Sequence, residues 1–321
     1  MKVFSDATVN DQALEQLRQG VAPHDLVRPQ KLAASVLAKS EADPALCEAQ
    51  VAFGQPDVEA LAEAHHLRWL HLSSAGFTRY DTPEFRVFAA QRGLVVTNSS
   101  SVYAEACAEH AFAFLLAQAR CLPQALQTRA ASGTPEWLAV RQAGQSPRGQ
   151  TAVLLGYGSI AAHLAKLLEP FDMKLIAMRR TPRGDEGMQT VTPAELSGAL
   201  SQADHVFNLL PANAESQHFI NAIRLTQMKR GAVFYNIGRG TTVDQVALDA
   251  ALRSGQLAGA WLDVTEPEPL PDGHLLLNAP NCHITPHTAG GHRGEDGTLV
   301  WHFLTNFRRY LAGETLQDRI M

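Results

Sequence analysis

The sequence of 321 residues contains few cysteines, little net charge and no long apolar run. Its four cysteines, Cys47, Cys107, Cys121 and Cys282, show neither CxxC nor Cys/His ligand spacing, so we expect reduced packing residues and no metal site. A formal net charge of −5 provides no excess of positive charge for binding nucleic acid or an anionic membrane. No run reaches the ~18 apolar residues of a membrane span, and the first residues lack a signal-peptide core. These absences favour a cytoplasmic globular protein.

What the chain does contain is an alternation of strand-like and helix-like segments. Hydrophobic residues make up 45% and charged residues 18%, and the length favours two domains, each with its own core. In the first hundred residues the predicted elements lie at 3–4, 11–18, 51–53, 58–65, 69–72, 83–91 and 94–97. Such alternation is typical of an α/β domain with a mainly parallel sheet.

The same alternation continues through the second half of the chain. A long helix is predicted over 101–120, followed by an irregular arm over 121–147 that we expect to contact a neighbouring subunit or domain. Later strands are predicted at 205–210, 232–237, 260–263 and 282–285, and helices at 243–253 and 301–311. The last helix follows the final strand and needs an apolar face to cover. We therefore predict a discontinuous domain, 1–99 with 288–321, and an inserted domain, 100–287.

The clearest motif is a strand, a glycine turn, a helix and a second strand within residues 151–180. Gly156 permits the tight turn, and Gly158 lets the backbone approach a pyrophosphate. The helix then starts at Ser159 and Ile160, whose backbone N–H groups and positive dipole end favour phosphate. The alternative is a glycine-rich turn without a nucleotide, which the flanking pattern disfavours. The motif predicts a dinucleotide-binding site.

The residues after the second strand of this motif indicate which dinucleotide binds. An NAD site usually carries Asp or Glu there, to accept hydrogen bonds from the ribose hydroxyls. Here Arg179, Arg180 and Arg183 follow the strand instead. Guanidinium groups bind a 2′-phosphate, which a carboxylate would repel. We therefore assign Arg179, Arg180 and Thr181 to coenzyme binding and predict NADP as the preferred coenzyme; the alternative is a solvated arginine loop and use of NAD.

Three titratable side chains follow predicted strands of the inserted domain: Arg239, Glu268 and His287. Ligands of a parallel doubly wound sheet bind outside the carboxyl ends of the strands, so we expect these three side chains to converge. Taken singly, each has a structural explanation: a surface arginine, a solvated loop carboxylate and a structural histidine.

Taken together with the residues around them, the three side chains fall in a recognisable series of motifs. The matching segments are SSAGFTRYD (73–81), ACAEHAFAFLLAQAR (106–120), GYGSIA (156–161), FNLLP (207–211), NIGRG (236–240), GAWLDVTEPEPLP (259–271) and NCHITPHTAGG (281–291). In these segments the chain resembles the D-isomer-specific 2-hydroxyacid dehydrogenases. Ala161 replaces the usual third glycine, and the serines at 99–101 replace a more usual Pro-Gly.

The resemblance implies a fold class and a division of labour. It implies an α/β protein with two doubly wound parallel-sheet domains, a Rossmann coenzyme domain inserted into a flavodoxin-like substrate domain. His287 is then the acid/base, because histidine's ordinary pKa of ~6.5 allows proton transfer in both directions. Glu268 pairs with His287 and favours the imidazolium. Arg239 binds the substrate carboxylate and polarises the carbonyl.

The resemblance also assigns residues to the two ligands. Backbone N–H groups of Ala75 and Gly76 are expected to bind the substrate carboxylate together with Arg239 and His287. Asp263 is expected to contact the nicotinamide carboxamide. Leu210, Pro211 and Ile237 are expected to line the coenzyme site.

The resemblance implies an oxidoreductase that prefers NADP and reduces a small 2-oxo acid such as glyoxylate or hydroxypyruvate. It also implies a homodimer. One alternative is an NAD-dependent dehydrogenase of another D-2-hydroxyacid, such as phosphoglycerate. A second is formate dehydrogenase, where Gln is expected in place of Glu268. A third is a nucleotide-sensing corepressor of the same fold, which retains the same three residues. Neither nucleic acid nor membrane is expected as a partner.

Overall fold

The computed structural model describes residues 1–33 and 40–321, which form two compact units. The discontinuous unit comprises Met1–Tyr103 and Gly291–Met321. The inserted unit comprises Ala104–Gly290. No helix in the described ranges is both long enough and apolar enough to cross a bilayer.

The elements alternate along the described chain as expected for an α/β protein. The strands are β1 (Lys2–Ser5), β2 (Asp25–Val27), β3 (Val51–Gly54), β4 (Trp69–Leu72), β5 (Val95–Thr97), β6 (Thr151–Leu155), β7 (Lys174–Met178), β8 (Gln189–Val191), β9 (His205–Asn208), β10 (Ala232–Asn236), β11 (Leu257–Leu262) and β12 (Cys282–Ile284). The helices are α1 (Asp11–Val21), α2 (Ala60–Glu63), α3 (Pro83–Arg92), α4 (Ser100–Ala119), α5 (Leu122–Gln127), α6 (Pro135–Ala143), α7 (Ser159–Leu168), α8 (Leu196–Leu200), α9 (Ala222–Gln227), α10 (Gln245–Arg253) and α11 (Glu295–Leu311). Short 3₁₀ turns lie at Pro44–Glu48, Thr78–Tyr80, Glu169–Phe171, Gly240–Thr242 and Leu275–Asn278.

Within the described residues, the sheet of the discontinuous unit has five parallel strands in the order β2-β1-β3-β4-β5. This is the flavodoxin-like order. The last helix, α11, packs on α1 and on the sheet. Its Phe303 ring stacks on Phe53 at a centroid distance of 4.4 Å and on Trp69 at 5.3 Å. The apolar face that the sequence required for this helix is therefore an aromatic face of the discontinuous unit.

The start of α4 is held by the last residues of the discontinuous unit. The backbone N–H and the hydroxyl of Ser101 each donate to the Asp318 carboxylate at 2.8 Å. Nε2 of buried His302 lies 3.2 Å from the same carboxylate. Burial opposes ionisation of Asp318, but the close contact with His302 and the hydrogen bonds from Ser101 outweigh it and lower its pKa. Asp318 thus acts as an N-terminal cap supplied from a distant part of the sequence.

The inserted unit contains seven parallel strands in the order β12-β11-β10-β9-β6-β7-β8. Strands β6 and β9 are neighbours. On the side of β6 the sheet continues with β7 and β8, and on the side of β9 it continues with β10, β11 and β12. This is the Rossmann arrangement, with its switch point between β6 and β9. The predicted fold class, two doubly wound parallel sheets, is confirmed.

The segment 121–147, predicted to be irregular, contains two helices, so that prediction was wrong. Helix α6 has Thr134 as its N-cap, which accepts a hydrogen bond from Trp137 N at 3.4 Å, and Pro135 stands in its first turn. A capping threonine followed by proline is a helix-start signal, and here it lies between glycines that suggest a loop. The strands β2 and β8 were also missed.

The four cysteines are all free, and the thiol pKa of two of them is raised. Burial raises the pKa of the Cys107 thiol to about 12. Burial also raises the pKa of the Cys282 thiol to about 12. Both thiols are therefore poor nucleophiles at neutral pH, as packing residues are.

Candidate active site

The glycine turn after β6 has the backbone geometry of a phosphate-binding turn. Gly156 has a φ of +93°, and a Cβ there would lie 3.4 Å from the Leu209 carbonyl oxygen. Gly158 is the N-cap of α7, and a Cβ on it would meet nothing within 4 Å. The first N–H groups of α7, at Ser159 and Ile160, precede any intrahelical acceptor. Free N–H groups, the positive dipole end and open space in front of them fit a pyrophosphate.

A cavity of about 360 Å³ opens beside this turn, within the inserted unit. Residues predicted for the coenzyme supply much of its wall: Gly156, Arg179, Arg180, Leu210 and Pro211. Ile237 is placed differently, since it is buried just after β10. The cavity lies at the carboxyl ends of β6 and β7, where the adenosine half of a dinucleotide is expected.

Arg179 is tied into its own loop by a buried carboxylate. Its Nη1 lies 3.1 Å from Oε1 of Glu186, whose side chain is only 2% exposed. The backbone N–H groups of Arg183 and Gly184 donate to the same carboxylate, each at 2.8 Å. These hydrogen bonds, first that of Arg183, lower the pKa of Glu186. Glu186 therefore folds the loop and holds Arg179 in place.

Arg180 is exposed and pairs with a carboxylate from another part of the chain. Its Nη1 bonds the Glu215 carboxylate, and the two side chains are 74% and 70% exposed. Both residues line the cavity, and Thr181 next to Arg180 is exposed. The predicted pair of coenzyme arginines therefore consists of one internally held group and one whose ion pair is open to solvent.

Arg239 follows β10 on a loop that packs closely on the loop after β11. A Cβ on Gly240 would lie 1.9 Å from the Thr265 carbonyl oxygen, so only glycine permits this approach. Burial lowers the pKa of Arg239, and the nearby charge of Glu268 opposes that shift. The arginine side chain is thus a partly desolvated cation beside a carboxylate.

Glu268 is fixed at both of its oxygens. Oε1 accepts the Thr265 N–H at 2.9 Å, and Oε2 lies 2.7 Å from Nδ1 of His287. Burial raises the pKa of Glu268, but the hydrogen bonds from His287 and Thr265 more than offset it, so the net shift is downward. The carboxylate is therefore ionised at neutral pH and directed at the imidazole.

His287 sits on a turn in which its own φ is +53°, a region uncommon for residues other than glycine. Its backbone N–H donates to the Asp263 carbonyl at 2.9 Å. Because Nδ1 faces Glu268, Nε2 is the ring nitrogen available to a ligand. The ring is half-buried, at 26% side-chain exposure, so it remains accessible.

Asp263 is the residue that holds this turn. One oxygen accepts from the Thr285 hydroxyl at 2.6 Å and from Thr288 N at 2.9 Å, and the other accepts from Ala289 N at 2.9 Å. A carboxylate offers about four lone-pair sites, so three are used within the turn. The observed contacts make Asp263 a support of the His287 turn; its predicted contact with a nicotinamide carboxamide stays a prediction.

Sequence reasoning missed two side chains in this network. Thr285 bonds Asp263, and Nε2 of His110 on α4 lies 3.3 Å from the Thr285 hydroxyl and 3.8 Å from Asp263. Burial lowers the pKa of His110, against the opposing effect of Asp263. The signal for Thr285 was its place just after β12, two residues before His287.

Ala75 and Gly76 lie after β4, in the discontinuous unit. The Ala75 carbonyl accepts from the Asn98 side chain at 2.7 Å, and the Gly76 carbonyl accepts from the Ser74 hydroxyl at 2.5 Å. These bonds fix the loop, and its predicted contact with a substrate carboxylate stays a prediction. Across residues 1–33 and 40–321, no group of three or more His, Cys, Asp or Glu is arranged to hold a metal ion.

Comparisons with known proteins agree with this geometry. Residues 112–289 match the family model described as "D-isomer specific 2-hydroxyacid dehydrogenase, NAD binding domain". A glyoxylate reductase of Thermofilum pendens is 35% identical over 238 residues, 73% of this chain and 68% of that protein. The crystal structure of a D-isomer specific 2-hydroxyacid dehydrogenase family protein from Aeromonas salmonicida is 28% identical, with a TM-score of 0.79 and coverage of 100% and 98%.

A third relative was solved with ligands. It is an NADPH-dependent glyoxylate/hydroxypyruvate reductase from Sinorhizobium meliloti in complex with NADP and malonate, 28% identical, with a TM-score of 0.75 and coverage of 99% and 96%. The fold and the glycine turn after β6 are those of a dinucleotide-binding α/β protein. The matches go further: the chain belongs to the D-isomer-specific 2-hydroxyacid dehydrogenase family. It is an NAD(P)-dependent oxidoreductase.

Proposed function

We propose that this protein reduces a small 2-oxo acid, such as glyoxylate or hydroxypyruvate, with NADPH as the preferred coenzyme. The observation that carries the proposal is the contact of 2.7 Å between His287 and Glu268, with the partly desolvated Arg239 beside them. An imidazole oriented by a carboxylate is a proton donor, and a guanidinium beside it binds an anionic substrate. The glyoxylate reductases among the relatives support the choice of substrate class.

The residues of the turn fit the coenzyme. The backbone of Gly156, Gly158 and Ser159 would hold the pyrophosphate, and the cavity of about 360 Å³ beside them would take the adenosine half. When bound, the nicotinamide supplies the hydride. The preference for NADPH is supported by the guanidinium groups of Arg179 and Arg180 on the cavity wall.

The protein's own residues then carry the remaining chemistry. Arg239 binds the carboxylate of the 2-oxo acid and places positive charge where the carbonyl oxygen becomes an alkoxide. His287 donates its Nε2 proton to that oxygen. Glu268 keeps Nδ1 in its donor form and stabilises the imidazolium before transfer.

The test measures oxidation of NADPH and NADH with a panel of 2-oxo acids. We expect turnover with NADPH and a small 2-oxo acid, and a loss of about 10² to 10⁴ in kcat for His287→Gln, as for removal of one acid/base. Binding of NADPH by His287→Gln should be almost unchanged. Coenzyme binding without turnover of any 2-oxo acid would instead favour a nucleotide-sensing protein.

The coenzyme preference has its own test. Replacing Arg179 and Arg180 together with Ala should raise the KM for NADPH far more than the KM for NADH, because only NADPH carries the 2′-phosphate. Equal effects on the two coenzymes, or a native enzyme that prefers NADH, would contradict the proposed preference.

A further inference from the structure

The cavity beside the glycine turn contains a carboxylate that no motif in the sequence indicates. Glu215 lies on its wall, in the loop after β9, and bonds Arg180, which lines the same cavity. The loop holds Glu215 in place through its neighbours. Asn213 accepts the Glu215 and Ser216 N–H groups, each at 3.0 Å, and the Ser216 hydroxyl donates to the Pro211 carbonyl at 2.6 Å.

The two arginines on the cavity wall are not equivalent towards an anion. Glu186 is buried and also receives backbone N–H groups, so its pair with Arg179 is part of the loop's own structure. The pair between Arg180 and Glu215 is exposed on both sides, and exposed ion pairs are weak. Arg180 is thus the arginine whose partner a ligand can displace.

We propose that the Arg180–Glu215 pair sets the coenzyme selectivity, with each member serving a different coenzyme. This inference rests on the proposed function, because it concerns the same dinucleotide site. In NADH the ribose 2′-hydroxyl donates to the Glu215 carboxylate, the role that an acidic residue after the second strand usually fills. In NADPH the 2′-phosphate takes Arg180 and displaces Glu215, whose charge opposes binding. Glu215 therefore limits the preference for NADPH.

The opposing effects give Glu215→Gln a distinctive result. Affinity for NADPH should rise about threefold, because the competitor in an exposed ion pair is removed. Affinity for NADH should fall about threefold, because a charged acceptor for the 2′-hydroxyl is lost. The selectivity for NADPH over NADH should thus rise about tenfold, which corresponds to about 1.4 kcal/mol.

The experiment measures the Kd of NADPH and of NADH by calorimetry, without substrate, for the native protein and for Glu215→Gln. Asp172→Asn is the matched control. Asp172 and Arg148 form another exposed ion pair of the inserted unit, 74% and 59% exposed, away from the cavity wall. This control should leave the ratio of the two dissociation constants unchanged. Thermal unfolding of each variant checks that the fold is retained.

The outcomes separate this inference from the proposed function. Equal changes in the two dissociation constants, a shift of Glu215→Gln towards NADH, or an equal shift in Asp172→Asn would overturn the role of Glu215. A native protein that prefers NADH would refute the proposed NADPH preference but leave the expected tenfold change in the ratio as the test of Glu215. Failure of the native protein to bind either coenzyme would refute both.

Discussion

Replacing Glu268 with Gln tests the proton-transfer role of His287 through its pH dependence. Glutamine has the same shape, and its amide oxygen still accepts from Nδ1, so the ring orientation is retained. The negative charge is removed, and the amide NH₂ group replaces the oxygen that accepts the Thr265 N–H. Reduction requires a proton on His287, and its alkaline limb reports loss of that proton. Without the carboxylate the imidazolium is less stable and releases its proton at lower pH, so the alkaline limb should move to lower pH.

The structure sets the size of the loss in activity. At 2.7 Å the contact between His287 Nδ1 and Glu268 Oε2 is a charge-assisted hydrogen bond. Hydrogen bonds to charged groups contribute about 1.5–3 kcal/mol. Because the Glu268 side chain is 36% exposed, solvent screening reduces this to about 1–1.5 kcal/mol. Since about 1.4 kcal/mol corresponds to a factor of ten, we expect Glu268→Gln to lower kcat/KM on the alkaline side by about tenfold.

The assay is the pH profile of kcat/KM for reduction of a 2-oxo acid, measured between about pH 5 and 9 around the ordinary histidine value. Glu266→Gln is the matched control, since it removes an exposed carboxylate from the same loop without touching His287. Its profile should coincide with that of the native enzyme. An alkaline limb that stays in place or moves upward in Glu268→Gln would refute the pairing, even if turnover is lost.

Three other groups and the oligomeric state give further expectations. Arg239→Lys should raise the KM for the 2-oxo acid more than that for the coenzyme, because an ammonium cannot bind a carboxylate bidentately. Asp263→Asn should lower the free energy of unfolding by about 1–3 kcal/mol and reduce kcat, since a buried acceptor of the His287 turn becomes a donor; chemical denaturation and kinetics measure both. Asp318→Ala should cost about 1 kcal/mol at pH 7 through loss of the Ser101 cap. Because the pKa of Asp318 is lowered in the fold, this deficit should narrow as the pH falls below about 4, in denaturation at several pH values. Light scattering at micromolar concentration should give the mass of a homodimer; a monomer mass would contradict that proposal.

The elements that the sequence predicted well are those with strong local patterns. Except for β8, the strands of the inserted unit lie within a few residues of their predicted places, because buried parallel strands are continuous apolar runs between glycine and polar turns. Helix α10 starts at Gln245, after Asp244, whose side chain accepts from Ala247 N. Helices α5 and α6 were missed because their signals lie among glycines and prolines, which dominate a local interpretation.

The ion pairs of the coenzyme loop could not be predicted from the sequence. The local sequence predicted arginines without a carboxylate at the end of β7, yet each of the two has a carboxylate partner. Glu186 lies further along the same loop, and Glu215 lies in the loop after β9. No periodicity carries such pairings, because they depend on how loops from separate strands fold over the sheet edge. The contact between Glu268 and His287 could be predicted, because the two residues follow neighbouring parallel strands.

Helix α11 covers a sheet whose strands are made long before it during biosynthesis. The rings of Phe303 and Phe307 stack against Trp69, but the ribosome makes α11 only after the whole inserted unit. At about 5–20 residues per second, that unit takes on the order of 10–40 seconds to synthesise. During this interval the sheet of the discontinuous unit lacks α11, and by its end all the strands of the inserted unit have been made. The inserted unit is thus free to fold first, and nascent-chain chaperones have their longest access to the first hundred residues.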